Sequence, residues 1–92
     1  MSGPLDGKVV IEVRCNEYTG RVPNPHVPWS PVEIAVDAAA CREAGAAIVH
    51  FHARDAATGA PAWATHDYAA VIRAVRARTD VLLNPKLAAL KL

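Results

Sequence analysis

The chain has 92 residues, of which 52% are hydrophobic and 5% aromatic, and its formal net charge is +1. This length allows one small domain with a thin core, because much of the apolar content is alanine. The balanced charge excludes a basic nucleic-acid-binding surface, and no run reaches the roughly 18–20 apolar residues that cross a bilayer. We therefore expect neither nucleic acid nor a membrane as a partner.

The two ends of the chain lack the patterns of packed structure. Residues 1–7 have neither the basic start nor the apolar core of a signal peptide, and we expect them to be disordered. Cys15 and Cys41 do not form a disulfide framework, which favours a cytoplasmic location. Residues 86–92 form a short amphipathic run, typical of an artificial end, a frameshift or a truncation. The folded domain should therefore span residues 8–85.

The first half of the chain predicts a strand, a loop and a helix. Lys8 to Cys15 should form the strand, because β-branched residues give way to polar–apolar alternation. Residues 16–30 are proline-rich, and a loop of this length is often functional. Ser30 and Glu33 then match an S-x-x-E capping box, with proline at the first helical position. Gly45 should end this helix.

The second half predicts strand, helix and strand again. Ala46 to His52 should form the second strand, and Asp80 to Asn84 the third. Thr65 is expected to cap a helix whose apolar residues recur at helical spacing from Tyr68 to Val75. Strands that alternate with single helices form parallel βαβ units. Two helices cannot cover three such strands fully, so we expect part of a larger α/β barrel or open sheet, or a partner.

The strongest chemical feature is an H-x-H pair, His50 and His52, at the end of the second strand. Residues two apart on a strand share a face, so both imidazoles should point the same way. Imidazole is the commonest protein ligand of metals, although the pair could also be two hydrogen-bonded, partly buried histidines. His26, in the loop, and His66, at a helix start, are expected at the surface.

Further polar residues follow the ends of the three predicted strands. Asn16 and Glu17 follow the first, Arg54 follows the second, and Asn84 ends the third. Ligands of parallel α/β folds bind at the carboxyl ends of the strands, so these four residues are candidates for substrate binding. The alternatives are a solvated Glu17 and a simple ion pair between Arg54 and Asp55.

Three segments resemble the β-keto acid cleavage enzymes of the 3-keto-5-aminohexanoate cleavage type. Residues 9–18 resemble the first strand of that family, and residues 25–34 resemble its P-x-x-P-x-[TS]-P-x-E motif at the first helix. Residues 43–55 are similar to its E-A-G-A-x-x-x-H-x-H-x-R-D motif. The resemblance covers residues 8–85 and implies the first two and a half units of a (β/α)8 TIM barrel, with parallel strands and covering helices. A complete barrel needs about 250 residues.

The resemblance also implies a chemistry. His50 and His52 would bind zinc or another divalent cation, and Glu17 is the nearest match to a polar residue above the substrate. A glutamate that completes the metal ligands, and an Arg/Asp pair that activates the substrate, would lie beyond Leu92. The family reaction converts a β-keto acid and acetyl-CoA into acetoacetate and a new CoA thioester, as a metal-dependent acyltransferase that cleaves a carbon–carbon bond.

The resemblance leaves the behaviour of the 92-residue chain open. We expect it to be inactive alone, because the catalytic base and third metal ligand implied by the family are missing, and we expect a homo-oligomer. The alternatives are a structural or assembly fragment, a small metal-binding module, and part of another metal-dependent aldolase-type barrel.

Overall fold

The computed structural model describes residues 8–17 and 20–85. Residues 1–7 and 86–92, for which the sequence predicts disorder and an atypical tail, lie outside the described residues. The elements alternate along the chain as the sequence predicts, in the order β1 (Glu12–Arg14), α1 (Pro31–Glu43), β2 (Ile48–Phe51), α2 (Thr65–Arg76) and β3 (Leu82–Pro85).

The three strands form one sheet in the order β1-β2-β3, and both pairings are parallel. In this register Arg14 pairs with His50, and His50 pairs with Asn84. The carboxyl ends of the strands therefore meet at one edge of the sheet. This α/β unit of three parallel strands and two helices is compatible with part of a larger barrel.

The core lies between the sheet and the two helices. Val49 and Phe51 of β2 are fully buried against apolar residues of both helices, and the Phe51 ring lies 5.8 Å from the Tyr68 ring, centroid to centroid. Because strand side chains alternate between faces, His50 projects from the opposite face. On that open face Leu82 of β3 remains 62% exposed. Because Val49 and Phe51 are buried against the helices, His50 must point to the opposite, open face of the sheet.

The cap of α1 forms as the sequence predicts. Ser30 Oγ accepts a hydrogen bond from the Glu33 backbone N–H at 3.1 Å, and Glu33 Oε1 accepts one from the Ser30 N–H at 2.9 Å. After the helix, Gly45 has a φ of 113°, in the left-handed region that favours glycine. This turn brings the chain directly into β2.

The predicted start of α2 is wrong by one residue. Thr65 is the first helical residue, and Ala64 occupies the cap position. The carboxylate of Asp67 accepts the Ala64 N–H at 3.2 Å, so an acidic residue of the first turn supplies the cap that Thr65 was predicted to provide. Among the residues that the structure describes, neither helix is long and apolar enough to cross a membrane.

The strands are shorter than the sequence predicts, and β1 differs most. The β-branched residues before β1, at positions 9–11, are between 48% and 85% exposed. The register pairs Glu12 with Ile48, so residues 8–10 would need partners at positions 44–46, where the chain turns after α1. β-Propensity cannot extend a strand beyond the end of its partner.

Candidate metal centre

Asn16 fixes the end of β1 to the end of β2. Its Oδ1 accepts the His52 N–H at 2.9 Å, and its Nδ2 donates to the carbonyls of His52 at 2.9 Å and Pro28 at 3.1 Å. The side chain is only 2% exposed, so these bonds form away from solvent. They hold the residue that follows, Glu17, beside the H-x-H pair.

Glu17, His50 and His52 form a compact group of possible metal ligands. The two Nε2 atoms lie 3.4 Å apart, Glu17 Oε1 lies 3.2 Å from Nε2 of His50, and Glu17 Oε2 lies 3.4 Å from Nε2 of His52. Tetrahedral zinc with bonds of about 2.0–2.1 Å separates its ligand atoms by about 3.3 Å. The donor set therefore fits a divalent cation in both chemistry and spacing.

The surroundings of His52 favour its neutral form. His50 and His52 are 5% and 2% exposed. Burial lowers the pKa of His52, and the Glu17 carboxylate opposes this shift. Only an unprotonated ring nitrogen can bind a metal. Two neutral imidazoles and one carboxylate would leave a divalent ion with a net charge of +1.

Arg54 holds the backbone of Asn16 and Glu17 at the carboxyl edge of the sheet. It is 7% exposed, and its Nη2 donates to the backbone carbonyl of Asn16 at 2.8 Å and to that of Glu17. Its positive charge also contributes to the lowered pKa of His52. The carboxylate of Asp55, the alternative partner of Arg54, accepts backbone N–H groups of the turn that follows it.

Asn84 contacts Glu12, which lies near His50 and which the sequence pattern does not predict as a site residue. Asn84 Nδ2 donates to Oε1 of Glu12 at 3.3 Å, and the same oxygen lies 3.9 Å from Nδ1 of His50. The one sequence signal for Glu12 is its position as a carboxylate within the apolar first strand. The structure thus brings Asn16, Glu17 and Asn84 to one edge with the two histidines.

The other histidines and the nearby thiol take no part in this group. His26 is exposed in the loop and the side chain of His66 is 85% exposed, which confirms their predicted surface positions. Burial raises the pKa of Cys15 to about 12, and its thiol donates to the His50 carbonyl. Cys15 is therefore a packed thiol and a poor nucleophile.

A second cluster holds the proline-rich loop in place. The guanidinium of Arg21 lies 3.9 Å from the centre of the Trp29 ring, and its Nη2 contacts both carboxylate oxygens of Glu33 at 3.0 and 2.9 Å. The indole packs directly on Gly59, where a Cβ atom would lie 2.5 Å from the ring. The loops before α1 and α2 are thereby joined by the contact between Trp29 and Gly59.

Comparison with known proteins places this chain in a family. The model of a family described as beta-keto acid cleavage enzyme matches residues 8–90. Over 60 residues the chain is 48% identical to 3-dehydrocarnitine:acetyl-CoA trimethylamine transferase of Rhizobium meliloti (strain 1021). That match covers 64% of this chain and 20% of the relative, so the chain spans about a fifth of that relative's length. The resemblance predicted from the sequence is confirmed: the chain belongs to the beta-keto acid cleavage enzyme family.

Proposed function

We propose that this chain forms the first βα units of a (β/α)8 barrel that cleaves a β-keto acid with acetyl-CoA, giving acetoacetate and a new CoA thioester. Family membership supports the reaction class, and the named acetyl-CoA-dependent relative supports the second substrate. The observation that carries the proposal is the group Glu17, His50 and His52 at the carboxyl edge of a parallel sheet, where barrel enzymes hold their active sites.

His50 and His52 would hold a divalent cation, and zinc suits this mixture of nitrogen and oxygen donors. When bound, the ion would polarise a ketone and stabilise the negative charge that develops during cleavage. Glu17 supplies a third donor within this chain. The resemblance also implies a further glutamate, an Arg/Asp pair and a catalytic base, and the inactivity of the isolated chain stays a prediction.

The four residues predicted to bind substrate divide by their contacts. The side chain of Glu17 is 40% exposed and Asn84 is exposed, so both can meet a ligand on the open face. Asn16 and Arg54 are buried and bond to backbone, and we propose that they act on the substrate by holding Glu17 in place. The carboxylate of Glu17 thus has two proposed partners, the metal ion and the substrate.

The relative's name suggests the substrate to test first. 3-Dehydrocarnitine is a β-keto acid with a quaternary ammonium group, and the chain is 48% identical over 60 residues to the transferase that carries this name. A β-keto acid can chelate a cation through its carboxylate and ketone oxygens. Its ammonium group would then favour a negatively charged neighbour, and Glu17 is the nearest carboxylate to the histidine pair.

Metal titration of the full 92-residue chain tests the centre. We expect His50→Ala and His52→Ala to abolish Zn²⁺ binding measured by calorimetry, because each removes a buried donor from a set of three. His66→Ala is the matched control, since that imidazole is exposed and outside the group. Equal Zn²⁺ affinity in all three variants would refute the proposed ligands. Metal-dependent formation of acetoacetate and a CoA thioester from 3-dehydrocarnitine and acetyl-CoA by the purified chain would contradict its predicted inactivity.

A role as an assembly unit has its own support. A groove of about 650 Å³ runs along β3, and its lining includes the exposed Leu82 together with Ile72 and Pro85. Exposed apolar surface of this kind favours association, so the predicted homo-oligomer stays part of the proposal. Light scattering of the metal-free chain would distinguish a monomer from an oligomer.

The family match favours β-keto acid cleavage over another aldolase-type reaction, and the cytoplasmic location stays a prediction.

A further inference from the structure

The two ring nitrogens of His50 have different surroundings. Nε2 faces Glu17 at 3.2 Å and His52 at 3.4 Å, within the candidate metal centre. Nδ1 is buried, has no hydrogen-bond partner among residues 8–17 and 20–85, and lies 3.9 Å from Oε1 of Glu12. A neutral imidazole that binds a metal through one nitrogen carries its proton on the other. The group that faces Nδ1 therefore influences whether Nε2 is unprotonated and points toward the metal ion.

Glu12 is held in the right place by the sheet. It lies on β1 two residues before Arg14, which pairs with His50, and its carboxylate reaches across β2. There its Oε1 accepts a hydrogen bond from Nδ2 of Asn84 on β3 at 3.3 Å. One carboxylate thus links all three strands on the open face. The Glu12 side chain is 34% exposed, and the 3.9 Å between its Oε1 and Nδ1 of His50 must shorten for a hydrogen bond to form.

We propose that Glu12 is a positioning residue of the candidate metal centre. Its carboxylate accepts the Nδ1–H of His50, which directs Nε2 toward the ion, and Asn84 fixes the orientation of that carboxylate. A carboxylate on the far nitrogen of a ligating histidine orients the ring and raises its basicity as a ligand. The inference rests on the proposed metal centre. It assigns to Glu12 and Asn84 an indirect role, because they would act on the ion only through the ring of His50.

The test uses the full chain, labelled with ¹⁵N-histidine and titrated with Zn²⁺. Glu12→Ala should weaken Zn²⁺ binding by up to about 100-fold, and Glu12→Gln, which keeps an acceptor oxygen, by about tenfold. In the zinc-loaded chain the His50 Nδ1–H should give an exchange-protected NMR signal that Glu12→Gln keeps and Glu12→Ala loses. The matched control is Glu43→Ala, because Glu43 is an exposed carboxylate at the end of α1.

The outcomes separate this inference from the metal centre itself. Normal Zn²⁺ binding by the unsubstituted chain, with unchanged affinity and an unchanged Nδ1–H signal in Glu12→Ala, would overturn the role of Glu12 alone. Failure of the unsubstituted chain to bind Zn²⁺ would overturn the metal centre and the inference together. Circular dichroism checks the fold of each variant. If Glu12→Ala does not fold, Glu12→Gln decides, and equal affinity in Glu12→Gln and Glu43→Ala would overturn the proposal.

Discussion

Replacing Asn16 with aspartate should destabilise the fold severely, although the two side chains have nearly the same shape. Nδ2 of Asn16 donates to the carbonyls of His52 at 2.9 Å and Pro28 at 3.1 Å. The substitution places a carboxylate oxygen against both carbonyls. The hydrogen bond from the His52 N–H to Oδ1 remains possible. The change therefore converts two attractive contacts into two repulsive ones and leaves the third.

The size of the effect follows from these contacts. Each buried group left unpaired costs about 1–3 kcal/mol, so the two lost bonds alone should lower the free energy of unfolding by about 2–6 kcal/mol. Burial of a charged carboxylate that keeps one of the three hydrogen bonds adds to this loss, because the side chain at this position is only 2% exposed. Domains have about 5–15 kcal/mol in total, so Asn16→Asp should leave much of the chain unfolded.

Urea denaturation followed by circular dichroism measures this loss, and its pH dependence identifies the cause. Burial and the two facing carbonyls should raise the pKa of the introduced carboxyl group above its unfolded value, so the folded state should bind that proton more tightly. The stability deficit of Asn16→Asp relative to the unsubstituted chain should therefore grow as the pH rises and shrink as it falls. Asn16→Ala, which adds no charge, should show a deficit independent of pH. A deficit of only about 0.5 kcal/mol, as for surface substitutions, would refute the reasoning.

Three further predictions concern the surroundings of the site. Gly59→Ala should lower the melting temperature by a loss of about 1–3 kcal/mol, because Gly59 has a φ of 76° and the new Cβ would meet the Trp29 ring; an unchanged melting temperature would contradict this. Glu33→Gln should cost about 0.3–1.5 kcal/mol at neutral pH. Hydrogen bonds from the α1 cap, led by the Ser30 backbone N–H, lower the pKa of Glu33 in the folded chain. Its stabilisation is therefore present above the ordinary pKa of a glutamate and is lost as the pH falls through the lower folded pKa. The urea midpoints of the two chains should accordingly converge in acid, and a constant difference would argue against the cap. Cys15, with its pKa raised to about 12, should react with iodoacetamide at pH 8 far more slowly in the folded chain than in urea, and equal rates would contradict its burial.

Local interactions were predicted more closely from the sequence than long-range pairing, and the cap of α2 was missed by a single residue. The cap of α1 involves Ser30 and Glu33, three residues apart, and forms as predicted. The extent of β1 depends instead on its pairing with β2, which starts 36 residues later at Ile48. Propensity carries no information about where a distant partner begins, so the prediction for β1 extended too far.

The same distinction applies to the candidate site. The two-residue period of a strand places His50 and His52 on one side, and their Nε2 atoms indeed lie 3.4 Å apart. The approach of Glu17 depends on Asn16, whose bonds to His52 join residues 36 positions apart. Glu12 depends on the register of all three strands. Spacing along the chain could predict the histidine pair but could not predict which carboxylates would face each ring nitrogen.

The separation of the three donors along the chain has a consequence for folding. Glu17 follows β1, whereas His50 and His52 lie at the end of β2, so the donors are neighbours only when these two strands are aligned. An ion bound by these three donors would connect the ends of β1 and β2, and it could not bind the unfolded chain in the same way. Thermodynamic linkage then couples occupancy to strand pairing, with about 2.7 kcal/mol of added stability when the free ion is 100-fold above its dissociation constant. The same contacts that would serve chemistry would help the first two strands find each other.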